Sequence, residues 1–280
     1  MRFKSDCTLL VSNLRKTPES VGGIMQTIKQ RLAQNEVLNV AAVGRIVHHN
    51  LIQMIGLHGG FHALWFDLEH MDHPTEKLEI GTLAARSLGM DTFVRLPVTD
   101  YACVTRALEA GAGGIMAAQV RTAAEAEQIV KWSKFYPRGN RGLNTGGWDA
   151  KFGLIPAAPF TEQANRESFI AIQIETLSAL EEVEEIALVD GVDLIFLGPA
   201  DMSQSLGVTG DFMNPKCLAA IDKISDGCRK AQKPWGVVPV NPEYAAMCVE
   251  KGCKMISVAA DFRIINTGID AIKKAYGKFF

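Results

Sequence analysis

Short apolar runs rich in β-branched residues alternate along the chain with longer stretches in which apolar positions recur about every 3.6 residues. The runs at Val37–Val43, Ala63–Asp67, Thr92–Arg95, Gly114–Ala117, Phe169–Glu175, Leu194–Leu197, Trp235–Val238 and Met255–Ala259 predict eight strands. Several are continuously apolar, the pattern of parallel strands covered on both faces. The amphipathic stretches Pro74–Leu88, Tyr101–Ala110, Ala123–Lys134, Ser178–Leu188, Lys216–Ala231 and Pro242–Lys251 predict helices between them, and another is predicted over Ile24–Gln34. A polar residue and proline at Asp72–His73–Pro74, Asn214–Pro215 and Asn241–Pro242 mark helix starts, and glycines at 89, 111 and 252 mark ends.

Eight strand–helix units in parallel order predict a closed (β/α)8 TIM barrel with an N-terminal helix, residues 24–280 forming one domain and 1–23 an extension. The competing arrangement is a doubly wound open sheet, which the absence of G-x-G-x-x-G after the early strands disfavours. A length of 280 residues suits one barrel, and 48% hydrophobic against 21% charged residues suits a large core. The stretch 136–168, rich in Gly, Pro, Asn and Arg, is long for a connection and predicts a lid or a subunit contact.

Charge and cysteine usage then remove whole classes of function. A net charge of −2 without a basic run gives no footprint for nucleic acid. Cys7, Cys103, Cys217, Cys228, Cys248 and Cys253 form no C-x-x-C pair and no zinc spacing, and predict reduced thiols in a cytoplasmic protein. No apolar stretch of about 18 residues predicts a membrane span.

Barrel chemistry sits where strands end. Strand two closes on Asp67, Glu69 and His70, strand three on Arg95, strand five on Gln173 and Glu175, and strand six runs into Ala200 and Asp201. Glu175 and Asp201 follow neighbouring strands, which would lie about 5 Å apart, and two oxygen ligands with open positions suit Mg²⁺ or Mn²⁺. Each could instead cap the helix that follows it. Arg95 offers a fork for a carboxylate or enolate oxygen, or else an inter-strand salt bridge. His70, beside acidic residues, is a candidate acid–base or a structural histidine, and Glu69 could be a solvated loop charge. No strand end carries a lysine for a Schiff base, and the tails of strands seven and eight lack the glycine-rich turn of a phosphate site.

The segments GGFHALWFDLEH (59–70), FVRLP (93–97), ALEAGAGGIM (107–116), YPRGNRG (136–142), IQIET (172–176) and LGPADMS (197–203) together resemble the HpcH/HpaI class II pyruvate aldolases, with citrate lyase β-like proteins as more distant relatives. The resemblance runs from about Ile24 to Tyr276. It implies a divalent metal (Mg²⁺ or Mn²⁺, with Co²⁺ as an alternative) on Glu175 and Asp201, and Arg95 on the 2-oxo acid and its enolate. It further implies substrate contacts from Gln173 and from the backbone at Ala200–Asp201. His70 becomes the acid–base, oriented by Glu109, and the assembly a homo-oligomer, trimer or hexamer, exchanging its last helix. The implied reaction is retro-aldol cleavage of a 4-hydroxy-2-oxo acid to pyruvate and an aldehyde. The alternatives are oxaloacetate decarboxylation or a related enolate ligation, and a barrel that binds metal and oxo acid without turnover. His62, Met71–Asp72, Ala118 and Glu109 depart from the family pattern, which bears on substrate identity and on the geometry of the base.

Overall fold

The computed structural model describes residues 25–280; the predicted extension 1–23, Cys7 and the first predicted helical residue, Ile24, lie outside it. Eight parallel strands close into a barrel in chain order: β1 Leu38–Val43, β2 Ala63–Asp67, β3 Asp91–Pro97, β4 Gly114–Ala118, β5 Phe169–Ile174, β6 Leu194–Leu197, β7 Trp235–Val237 and β8 Cys253–Ala260. All eight predicted strands are present, with ends shifted by up to two residues. β8 returns to β1, so no sheet edge is left unpaired.

Side chains of a strand alternate between faces, so every second residue enters the barrel. Along β5, Ile170, Ile172 and Ile174 pack outward on the helices, whereas Phe169 and Ala171 belong to the barrel's interior cluster. That inward series continues through Gln173 to Glu175; along β3 it is Asp91, Phe93, Arg95. The middle of the barrel is filled by Trp65, Phe93, Phe169 and Phe196, with Phe93 and Phe169 edge to face at 5.6 Å between centroids. Polar residues are thereby pushed to the two ends.

The N-terminal end is closed by the helix Ile28–Ala33, capped by Thr27 through a capping box with Gln30. Ile28 is buried in the interior cluster and its N–H donates to Asp91 Oδ2 at 2.8 Å. Burial raises the Asp91 pKa above its ordinary value, and the N–H groups of Ile28 and Thr92 act against that rise. The carboxyl end stays open.

The proline signals at Asn214–Pro215 and Asn241–Pro242 act as predicted, with each asparagine accepting a first-turn N–H. At 72–74 the helix starts one residue later, because Pro74 is itself the extended cap of Thr75–Arg86. Gly89, Gly111 and Gly252 take φ of 75°, 95° and 90°, the left-handed caps expected of them. The predicted helix over Ser178–Leu188 is two short helices, Leu177–Glu181 and Val183–Leu188. His49–His58 is a helix the apolar spacing did not mark out.

The long connection is partly ordered as the helix Ala157–Glu167, whose Phe160 meets Phe135 at 5.2 Å. The reading as a lid needs correcting within one chain. The connection starts and finishes where α-helix 123–133 ends and β5 begins, and it packs on Glu109 through Asn144 Nδ2 and the Trp148 N–H. None of its hydrogen bonds reaches Asp67, Arg95, Glu175 or Asp201. Among the described residues, no helix is long and apolar enough to cross a membrane, and Cys103, Cys217, Cys228, Cys248 and Cys253 are free thiols.

Candidate active site

Asp67 and Arg95 are direct register partners at the ends of β2 and β3. Arg95 Nε and Nη2 donate to the two Asp67 oxygens at 3.1 and 2.7 Å, a two-point pair, and its Cζ lies 4.6 Å from the centre of the Trp65 ring. Trp65 is fixed in turn by donating Nε1–H to Ser257 Oγ at 2.9 Å. Glu69 Oε2 stands 3.0 Å from Arg95 Nη1 but out of line for a hydrogen bond. Burial opposes the Asp67 charge, yet the Arg95 guanidinium and the N–H groups of Glu69 and His70 together hold its pKa below the ordinary value. The two readings of Arg95 are therefore compatible: it forms the inter-strand bridge and still has N–H donors facing the mouth, since a guanidinium carries five.

Glu175 sits just past β5 and is 1% exposed. Its Oε1 accepts the Gln119 N–H at 2.7 Å, and Gln173 Nε2 donates to Oε2. Gln119 reaches that position with φ of 57°, a conformation rarely adopted outside glycine and asparagine. Gly198, next after β6, backs against this carboxylate: a Cβ there would stand 2.7 Å from Glu175 Oε2 and 2.6 Å from Gln173 Nε2. Ile174 pairs with Leu197, so Glu175 and the segment leading to Asp201 leave the sheet side by side. Asp201 is half-buried in the first turn of the helix Pro199–Ser205, where Ala200 also lies.

Burial first, then the nearby charges of Glu69 and Asp201, push the Glu175 pKa up to about 7. A buried carboxylate facing two further acids is a donor set short of a cation. Gln173 Oε1 is also buried without a hydrogen-bond partner. Hard oxygen donors in this arrangement fit Mg²⁺ or Mn²⁺ completed by water and substrate oxygens. Among the described residues no three His, Cys, Asp or Glu side chains form a cage unaided, so the fit is that of an open, two-carboxylate site.

His70 is at the mouth, its side chain 56% exposed and its Nε2 3.8 Å from Glu69 Oε2. Glu69 is largely buried, not the solvated loop charge the sequence allowed. Glu109 is not brought to His70. It ends the helix Tyr101–Glu109, at the level where β4 begins, and its Oε2 accepts from Asn144. Its side chain cannot orient the His70 imidazole of the same chain. His62, one of the departures, also lies away from the mouth: it precedes β2, and its Nδ1 accepts the Asn39 N–H at 2.9 Å. Ala118 closes β4 at the mouth beside Gln119.

Asp67 and Glu69, named among the strand ends but given no site role there, help build the mouth, as do two residues that sequence reasoning passed over, Gln119 and Asp261. Asp261, 1% exposed, directly follows β8 and receives the backbone N–H groups of Gly44, Arg45 and Ile46 on Oδ2 at 3.0, 2.6 and 2.7 Å. It moulds the loop after β1. An acid closing a strand was a legible signal for Asp67 and Asp261; nothing in the sequence marks Gln119.

A parallel barrel whose open end gathers acidic side chains around one bridged arginine is an enzyme architecture of the metal-competent kind. The HpcH/HpaI aldolase/citrate lyase family model matches residues 48–266, most of the chain. The chain is 28% identical over 226 residues to the 5-keto-4-deoxy-D-glucarate aldolase of Klebsiella pneumoniae subsp. pneumoniae, covering 81% of this chain and 87% of that protein. It is 28% identical over 246 residues to the hydroxypyruvate/pyruvate aldolase of Roseobacter denitrificans, covering 87% and 94%. Among solved structures, an HpcH/HpaI aldolase/citrate lyase family protein of Burkholderia cenocepacia J2315 superposes with a TM-score of 0.82 at 27% identity, over 89% of this chain and 98% of that one. The chain belongs to the HpcH/HpaI aldolase/citrate lyase family and is an enzyme of the lyase class.

Proposed function

We propose that this enzyme cleaves a 4-hydroxy-2-oxo acid reversibly to pyruvate and an aldehyde, with Mg²⁺ or Mn²⁺ held by Glu175 and Asp201. The observation that supports the reading is a buried Glu175 carboxylate, close enough to Asp201 and Arg95 to feel their charges, at the same strand-end rim as an Arg95 aligned by Asp67. When bound, the cation would supply Lewis acidity to the oxygens of the oxo acid. The protein's own residues do the rest. Asp67 and Trp65 fix the guanidinium, so the unused N–H donors of Arg95 are pre-set for the negative charge that develops on the oxo oxygen. Gln173 and the Gln119 N–H lock the Glu175 rotamer. His70 takes the proton from the 4-hydroxyl, the C3–C4 bond breaks, and its electron pair passes into the enolate. His70 then returns the proton to C3, giving pyruvate.

The last helix, Asp261–Ala275, supports a homo-oligomer. Phe262, Ile265, Ile269 and Ile272 recur at spacings of three and four, and all are exposed. A second copy would cover this stripe, and a mass measured by light scattering at a multiple of 30.5 kDa is expected. Reduced thiols fit a cytoplasmic setting.

The decisive experiment combines chelation with substitution. Chelator-treated enzyme should lose pyruvate formation, Mg²⁺ or Mn²⁺ should restore it, and Asp201→Ala should not be restored at the same metal concentration. Full activity of chelated Asp201→Ala protein would overturn the reading.

A further inference from the structure

Asp67 alone does not determine where the Arg95 guanidinium points. A two-point pair with one carboxylate fixes a guanidinium in its own plane but leaves it free to hinge about the line through the two bonded oxygens. The second restraint is the Trp65 ring, over which Arg95 Cζ sits at 4.6 Å from the centroid. What fixes Arg95 therefore depends on what fixes Trp65.

Trp65 is buried in the barrel's interior cluster, parallel to Phe93 at 6.3 Å between centroids and with Phe196 tilted beside it at 6.5 Å. Apolar contacts of this kind set the depth of a ring but let it slide in its plane. One directional bond stops that. Trp65 Nε1–H donates to Ser257 Oγ at 2.9 Å, and Ser257, 3% exposed, belongs to β8, two strands away round the barrel. β1 lies between, and its residue in register with Trp65 is Ala42, small enough for the indole to cross. The strand that supplies the serine is itself adjusted at this point. Between Ser257 and Ala259 its register with β1 slips by one residue, leaving Val258 out of the pairing and 47% exposed. Bulges at a barrel rim re-aim side chains, and this one falls directly after the hydroxyl. The Ser257 hydroxyl makes no other hydrogen bond among the described residues, and an indole N–H can only donate, so the bond is the one polar link each ring or hydroxyl has there.

We propose that Ser257 is a positioning residue for the reaction: by tethering the Trp65 indole from the far side of β1, it sets the angle at which Arg95 meets the oxo acid. Without the tether the ring shifts and the guanidinium hinges about Asp67. The donors aimed at the developing charge then lose their alignment, although the Asp67–Arg95 pair stays formed. This inference rests on the aldolase reading above.

The test follows exchange of pyruvate methyl protons with D₂O by NMR, with Mg²⁺ and no aldehyde. Ser257→Ala should lower kcat for exchange by about tenfold, less than the loss of a whole oxyanion donor, with KM little changed. Trp65→Phe, which keeps a ring but has no N–H, should cost a similar factor. The double variant should lose no more than either single one, because both substitutions cut the same bond. Ser257→Thr keeps the hydroxyl and should retain most of the wild-type rate. A second readout needs no turnover. The Arg95 Nε–H resonance, recognised by its disappearance in Arg95→Lys, feels the ring current of Trp65, so it should shift in Ser257→Ala and stay in place in Ser257→Thr. A wild-type rate in Ser257→Ala, losses that multiply in the double variant, or an unmoved Arg95 resonance overturns the inference. A wild type that exchanges no methyl protons refutes the aldolase reading instead, and the Arg95 resonance then still decides whether Ser257 holds the guanidinium.

Discussion

Asp67→Asn is the substitution that best isolates what aligns Arg95. The amide keeps one acceptor for the guanidinium, but its NH₂ group then faces an Arg95 donor, and the negative charge is gone. Breaking a buried ion pair from one side costs about 3–5 kcal/mol, because a charge is left uncompensated. Here the side chains are 11% and 14% exposed and Glu69 remains 3.0 Å from Nη1, so the loss should be smaller, about 2 kcal/mol. Urea unfolding followed by tryptophan fluorescence should show a lower midpoint at unchanged slope. If the same energy is lost in holding the developing enolate, kcat/KM for pyruvate release falls roughly 30-fold. The pH dependence has a definite sign. The Asp67 pKa is lowered in the fold, so its contribution is present above the ordinary carboxylate pKa and is lost as pH falls through the lower folded value. Acid should therefore erase the stability difference between wild type and Asp67→Asn. A variant that matched wild type in both midpoint and kcat/KM at neutral pH would refute the role given to this bridge.

Gly198→Ala puts a Cβ into Glu175 and Gln173, so Mn²⁺ affinity measured by titration should weaken by about tenfold while circular dichroism stays native. Lys134→Met removes the donor that satisfies the carbonyls of Asn165 and Ser168 at 2.8 and 2.7 Å, and should lower unfolding free energy by about 2–3 kcal/mol without changing kcat/KM. Burial and the neighbouring Lys29 bring the Lys134 pKa from 10.5 down to about 8. The unfolded chain therefore holds that proton more tightly, and raising pH from 8 towards 10.5 should stabilise wild type relative to Lys134→Met. Asp261→Ala leaves three N–H groups of the β1 loop without their acceptor, and should raise amide hydrogen exchange at Gly44, Arg45 and Ile46 by at least about tenfold.

The barrel was legible because its strands are written as apolar runs and its helices as a 3.6-residue rhythm, both properties of local sequence. The helix Ala157–Glu167 escaped for the same reason: it buries only Phe160 and so has no stripe to read. The strand-end rule found Arg95, Gln173, Glu175 and Asp201, and the structure sends all four to one mouth. It misjudged Glu69, named Asp67 without giving it a role and passed over Asp261, because an acid at a strand end looks the same whether it meets solvent, a cation or a row of backbone N–H groups. Gln119 was out of reach altogether, since its contribution is a left-handed φ and an N–H direction rather than a side chain.

Glu109 shows where motif matching and folding physics part. Its segment, ALEAGAGGIM, is one of those that carry the resemblance to the family, yet the residue ends a helix that runs back down the outside of the barrel, so topology alone carries it away from the strand ends. The alternation of side chains imposes the opposite fate on Glu175: three inward residues earlier β5 holds Phe169 in the dry centre, and each two-residue step moves the next inward side chain about 6.6 Å closer to the mouth. A carboxylate placed there is at the very edge of the core, where the Gln119 N–H and Gln173 Nε2 both donate to it, and the same residue one position earlier would have pointed at the helices. The chemistry of this enzyme depends on the phase of its strands at least as much as on the identity of its residues.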